Sequence, residues 1–187
     1  MIIATKNDKA TVVDILTQAF IENKSVNYII QHEKSVKEIE ALMEYSFDIC
    51  LLFGKVLLSD EHNACALILY PQRKTVNYRS IWLDIKLIFN SIGLFRVKTA
   101  LSREAKIKAF HPKLPITYLW FIGVLPNYQH QGIGTQLVWE IIRLSETEGM
   151  PIFLETSTSE NLPWYRNLGF EVYQTLDLTY SLYFLRR

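Results

Sequence analysis

A chain of 187 residues amounts to one domain, long enough to bury a substantial core. Its residues are 49% hydrophobic and 13% aromatic, which excludes an intrinsically disordered chain, and a formal net charge of +1 gives no global argument for nucleic acid or an anionic membrane. No apolar run reaches the ~18 residues of a spanning helix, and the two cysteines, Cys50 and Cys65, read as buried reduced thiols rather than a disulfide.

In chain order, Ile2 to Thr5 predicts a short strand, after which Asn7 or Asp8 caps a helix burying Val12, Val13, Leu16, Ala19 and Phe20. Residues 23–34 are polar around a Tyr-Ile-Ile insert and predict an irregular link. Ser35 with Glu38 makes a capping box for a second amphipathic helix through Ile39, Leu42, Met43, Phe47 and Cys50, ending near Gly54. Lys55–Ser59 and Ala64–Tyr70 predict strands joined by a hairpin turn over 60–63. Next, Ile81, Trp82, Ile85, Ile88, Phe89 and Ile92 fall at helical spacing, with Gly93 as the break. A further helical stretch to Ala109 carries Arg96, Lys98, Arg103, Lys106 and Lys108 against Glu104. It reads as a helix docked on the sheet with a solvated basic face, ahead of a membrane-surface or acceptor-covering arm.

Tyr118 to Leu125 is apolar at both parities, rich in aromatic and β-branched residues and too short for a helix, so it predicts a central strand covered on both faces. Pro126 and Asn127 end it, and Leu137, Val138, Ile141 and Ile142 then mark a helix that Gly149-Met150-Pro151 stops. Ile152–Thr156 predicts a strand, and Ser159 or Glu160 starts a short helix containing Trp164 and Tyr165. Phe170–Gln174 and Leu176–Leu185 predict a final antiparallel pair. The whole of 1–187 reads as a single α/β (α+β) domain, a mixed sheet with helices on its faces.

Between the central strand and its helix lies a polar turn bearing Gly132 and Gly134. Glycines let a ligand approach the backbone closely, and the amides at a helix start make an anion site. Nucleotide fingerprints fit poorly, because position 137 is leucine where a dinucleotide loop has a third glycine, and no Gly-Lys-Ser/Thr occurs.

The pattern Gln129-x-x-Gly132-x-Gly134 resembles the pyrophosphate loop of the GNAT family, the acetyl-coenzyme A-dependent N-acetyltransferases. A second segment strengthens the likeness: Leu154-Glu155-Thr156-Ser157, then Asn161-Leu162-Pro163-Trp164-Tyr165 and Leu168-Gly169-Phe170. The resemblance covers residues 117–175 closely and the first half by element order. It implies the GNAT fold, with a mostly antiparallel sheet, acetyl-coenzyme A as co-substrate, a small-molecule or peptide amine as acceptor, and no metal. By the same resemblance Gln129, His130, Gln131, Gly132, Ile133, Gly134 and Thr135 form the coenzyme-binding loop, in which the backbone amides from Gln131 to Thr135 hold the pyrophosphate. Ile122, Gly123 and Val124 pair with the pantetheine arm, and Asn161 hydrogen-bonds it. The Ile122 amide also serves the thioester oxygen. Tyr165 matches the general acid, and a phenol with a pKa of about 10 carries its proton at neutral pH.

Many relatives carry a glutamate on the central strand; here Tyr118 to Val124 has no carboxylate, and Glu155 on the neighbouring strand is the nearest candidate base. His111, before a proline, reads as a loop residue and His130 as solvent-facing. Ile81 to Phe95 reads as a lid over a partly hydrophobic acceptor pocket. The expectation is therefore a cytoplasmic N-acetyltransferase, monomer or homodimer, with no nucleic-acid partner and no transmembrane segment. The alternative is a coenzyme A-binding regulatory module of the same fold without turnover.

Overall fold

A computed structural model describes residues 1–187. Its strands are β1 (Ile2–Ile3), β2 (Gly54–Leu58), β3 (Ala64–Leu69), β4 (Thr117–Val124), β5 (Ile152–Thr156), β6 (Glu171–Asp177) and β7 (Ser181–Arg186). They form one seven-stranded sheet in the order β1-β2-β3-β4-β5-β7-β6, antiparallel throughout except for β4 and β5. The helices are α1 (Lys9–Phe20), α2 (Lys24–Asn27), α3 (Val36–Phe53), α4 (Tyr78–Leu87), α5 (Val97–Phe110), α6 (Ile133–Glu148) and α7 (Leu162–Asn167).

β4 sits at the centre with apolar cover on both sides, as its composition predicts. One face packs against α1 and α3, where Val12, Leu16, Phe47 and Met43 meet Phe121. The other packs against α6 and α7, where Leu137, Val138, Ile141 and Tyr165 meet Leu119. Gly123 is a glycine for a packing reason: an added Cβ would lie 3.0 Å from Leu16 Cδ2 and 3.1 Å from Ala19 Cβ. Both cysteines are buried and unbonded to each other, as expected.

Two irregularities of β4 open the sheet. Against β3, Leu67 faces Phe121 and Ile68 faces Leu119, so Trp120 is the extra residue of a bulge. Against β5, pairing covers only Thr117–Leu119 with Ile152–Leu154, after which the strands part. The Leu125 amide donates to the Asn63 carbonyl at 2.9 Å. Alternation along an antiparallel ladder therefore turns the backbone groups of Ile122 and Val124 away from β3 and into that fork, and those of Gly123 toward β3.

Several local expectations are corrected. Asp8 is the N-cap of α1, as expected, but its side chain makes no cap bond there; its carboxylate accepts from Thr5, which caps a 3-10 turn over Lys6–Asp8. Ser35 is the N-cap of α3 but its side chain makes no cap bond, the Glu38 amide donating to the Ser35 carbonyl, and the Glu38 carboxylate is engaged by the His32 amide and ring. The link at 23–34 includes the four-residue α2, capped by Asn23. The predicted helix at 81–92 begins at Tyr78 and ends in a π-helical turn over Ile88–Ile92. β6 runs on to Asp177, so the last turn falls three residues later than predicted.

α4 also reverses its expected face. Ser80 and Leu83 are its buried residues, with Leu87 half-buried, whereas Ile81, Trp82 and Ile85 are exposed; of the expected stripe beyond α4, Phe89 is exposed, Ile88 half-buried and Ile92 buried. No residue from 81 to 95 lines the cleft described below, so this segment is not its lid.

Candidate active site

The parting of β4 and β5 forms the floor of a cleft of about 710 Å³. Of the residues picked out in the sequence, Ile122, Gly123, Val124, Gln129, His130, Gly132, Gly134, Thr135, Glu155, Asn161 and Tyr165 all line it. Gln131 and Ile133 do not: the Gln131 amide Nε2 donates to the Asn127 carbonyl at 3.3 Å, and Ile133 packs against the core beneath α6.

At one end stands the start of α6. Residues 129–132 are exposed, and both His130 (φ 61°) and Gly132 (φ 82°) adopt the left-handed conformation. Gly132 is the N-cap without a side chain to offer, so the first amides of a 16-residue helix have no intrahelical partner. Such amides, with the positive end of the helix dipole, suit a pyrophosphate. Gln129 has a structural task as well: its Nε2 donates to the Val124 carbonyl at 3.1 Å and ties the loop to the strand end. Trp164 flanks the loop, its Nε1 donating to Thr135 Oγ1 at 3.0 Å.

Mid-cleft, Tyr165 on α7 is 4% exposed, its ring packed edge-on to Phe170. Its hydroxyl makes no hydrogen bond within the protein, and burial alone pushes the phenol well above its ordinary pKa. Asn161, the N-cap of α7, makes no side-chain cap bond and is exposed at the cleft wall.

Glu155 occupies the fork itself, one residue beyond the last β4–β5 pair. Its side chain is 7% exposed and held from two sides: His111 Nε2 lies 2.6 Å from Oε1, and the Tyr118 hydroxyl donates to Oε2 at 2.6 Å. A carboxylate can accept both and still has lone pairs free. Burial first, then the Glu155 charge, raises the Tyr118 phenol well above its usual range, so Tyr118 stays a donor. The structure thus recruits His111, read in the sequence as a loop residue, through its place after α5. No spacing in the sequence signals a pairing across 44 residues.

The rest of the lining divides in two. Phe20, Val26, Ile29, Trp120 and Phe121 make an apolar stretch of wall. From α5 come Arg103, Glu104 and Ile107. Arg103 is pinned, donating to the Tyr180 hydroxyl at 2.9 Å and to Ser25 Oγ. α5 also docks on β7 through Ile107, which clusters with Leu182 and Phe184. It is therefore both a docked helix and a border of the cleft.

Comparison with known proteins follows the same lines. Residues 99–170 match the acetyltransferase (GNAT) family. An uncharacterized N-acetyltransferase of Schizosaccharomyces pombe is 27% identical over 194 residues, covering 93% of this chain and 73% of its own. Among solved structures, a Corynebacterium glutamicum protein described as histone acetyltransferase HPA2 and related acetyltransferase superposes with a TM-score of 0.66. It is 19% identical and covers 98% of this chain and 93% of its own. Arylalkylamine N-acetyltransferase 2 of Aedes aegypti gives 0.65 at 13% identity, covering 100% of this chain and 96% of its own. These likenesses show that the fold is shared. Over residues 99–170 the chain matches the GNAT family of acetyltransferases, and together with its N-acetyltransferase relative that match marks it as an acetyl-transferring acyltransferase.

Proposed function

We propose that the protein transfers the acetyl group of acetyl-coenzyme A to the amine of an acceptor with an apolar body. The observation that carries this reading is the fork between β4 and β5. It joins an anion-binding helix start, unpaired strand amides, an unpartnered phenol and a held carboxylate in one cleft. These residues fit an extended, amide-rich arm ending in a pyrophosphate. The amides of Gly132 to Thr135 take the phosphates, the Ile122 carbonyl and the Val124 amide pair with the arm, and Asn161 adds a side-chain bond. His130 and Gln129 complete the loop, with Gln131 and Ile133 contributing only backbone.

Each residue then has one task in the transfer. Glu155 takes the proton of the acceptor ammonium, directly or through one water, freeing the lone pair that attacks the thioester carbon. The Ile122 amide hydrogen-bonds the thioester oxygen as negative charge develops on it. Tyr165 gives its proton to the sulfur as the carbon–sulfur bond breaks and regains one from the nitrogen of the collapsing intermediate, so the products are an acetamide, free coenzyme A and the one proton taken up by Glu155. The wall of Phe20, Val26, Ile29, Trp120 and Phe121 favours acceptors with apolar bodies over extended polyamines, and Glu104 attracts the cationic amine. Two buried free thiols, Cys50 and Cys65, agree with a reducing, cytoplasmic setting.

The coenzyme loop is tested by calorimetry. A Cβ at Gly134 would sit 3.6 Å from Trp164 and Val124, in ordinary contact, so Gly134→Ala fits the fold and binds acetyl-coenzyme A nearly as wild type does. Gly134→Val carries methyl groups into the space above the loop, and its dissociation constant rises at least about tenfold. Equal affinities for a folded valine variant and the wild type move the phosphate site elsewhere. Gly132 is a poorer probe, since its positive φ strains any replacement.

A further inference from the structure

The near-neutral total charge conceals a dipolar chain. Residues 73–113 hold ten of the twenty Lys and Arg and only two of the nineteen Asp and Glu. That segment therefore carries a surplus of eight positive charges, and the remainder a surplus of seven negative ones.

The same segment presents its apolar side to solvent. At about 100° per residue, Tyr78, Ile81, Trp82 and Ile85 share one side of α4, opposite Ser80, Leu83 and Leu87, and Phe89 follows in the π-helical turn. Trp82 is 61% exposed and Phe89 66%. Next along the chain Leu94, Phe95 and Leu101 are exposed as well, Phe95 fully. Arg79 and Lys86 border it on α4, and Lys98 lies one turn before Leu101.

This orientation is fixed by the inner side. The Tyr45 hydroxyl donates to Asp84 Oδ1 at 2.7 Å, turning the one carboxylate of α4 toward α3. Arg96 Nη2 donates to the Tyr28 carbonyl at 2.7 Å, and the Gln31 amide to the Ser91 carbonyl at 2.9 Å. The stripe cannot close over the cleft without breaking these ties.

So many exposed apolar side chains interspersed with cations call for a cover that is both greasy and anionic. A second copy of the chain would set one surplus of eight positive charges against another. A nucleic acid would meet the cations and leave the aliphatic side chains in water. An anionic bilayer surface satisfies both.

We propose that α4 and the turn after it dock the protein onto anionic membranes. α4 lies in the interface plane, with Trp82, Phe89 and Phe95 among the upper acyl chains and Arg79, Lys86 and Lys98 against lipid phosphates. The docking is peripheral, as no helix is long and apolar enough to cross a membrane. It rests on none of the catalytic assignments.

The test is co-sedimentation of the full chain with phosphatidylserine-containing vesicles and with pure phosphatidylcholine vesicles. The protein should sediment with the first, be released by high salt, and bind the second at least about tenfold more weakly. Trp82→Ser/Phe89→Ser/Phe95→Ser should lose at least about tenfold in partition, as should Arg79→Glu/Lys98→Glu, with unchanged melting temperatures because every altered side chain is exposed. Wild type left in the supernatant with phosphatidylserine vesicles overturns the proposal, as does a serine variant that partitions like wild type. A vesicle-inert dimer that the serine variant dissolves assigns the stripe to a second copy instead. Retention abolished by nuclease assigns it to nucleic acid.

Discussion

Tyr165→Phe lowers kcat by about 10² to 10⁴ and leaves the coenzyme dissociation constant within about twofold. The size follows from losing the one proton donor beside the departing sulfur. The selectivity follows from local structure: the hydroxyl has no partner in the protein, so its removal orphans nothing, while the ring keeps its contacts with Phe170 and Trp164. The deficit shrinks for acyl donors whose thiol leaves more easily. The neutral phenol is the active form, and burial raises its pKa, so the donor persists through neutral pH and is lost only on the alkaline side. The pH profile of wild-type kcat therefore shows no fall from this group below about pH 10. Steady-state kinetics over donors of graded thiol pKa checks all three points. Near-normal kcat in the phenylalanine variant returns Tyr165 to packing and leaves the sulfur to water.

Glu155→Gln lowers kcat/KM by about 10² to 10⁴ for amines that are protonated at the assay pH. The loss narrows for amines of low pKa, which arrive with a free lone pair. Glutamine is the informative replacement because it keeps an acceptor for the Tyr118 hydroxyl and a polar partner for His111. Alanine would orphan both, at a cost to stability of about 1–3 kcal/mol for each buried group left unsatisfied. A glutamine variant with equal losses for all amines would mean that Glu155 holds the fork together rather than accepting the proton.

The parts of this site that are contiguous in the chain were legible in its sequence. Tyr118 to Leu125 could be recognised as a covered central strand, and Gln129, Gly132 and Gly134 as a loop, since local composition fixes both. What depends on topology was not legible. His111 reaches Glu155 because α5 ends beside the fork, and a lone histidine before proline gives no hint of that. The bulge at Trp120 was hidden because the strand is apolar at both parities, so an inserted residue disturbs no pattern. On α4 the helical period was correct and its inward face was not. Leu83 and Leu87 suffice to pack the helix on α3, and periodicity alone does not say which stripe is covered. Ser35 and Glu38 had the spacing of a capping box, yet His32 competes for the carboxylate.

The central claim is that the fork couples coenzyme to an amine, and the direct test is the stoichiometry of thiol release. Purified protein is incubated with acetyl-coenzyme A and a panel of arylalkylamines, alkylamines and spermidine-type polyamines. Free thiol and acetylated amine are then quantified in the same samples. The account predicts amine-dependent thiol release matched mole for mole by acetamide, fastest for amines with apolar bodies. Thiol release at one slow rate with or without amine, and no acetylated product from any panel member despite tight coenzyme binding, would contradict it.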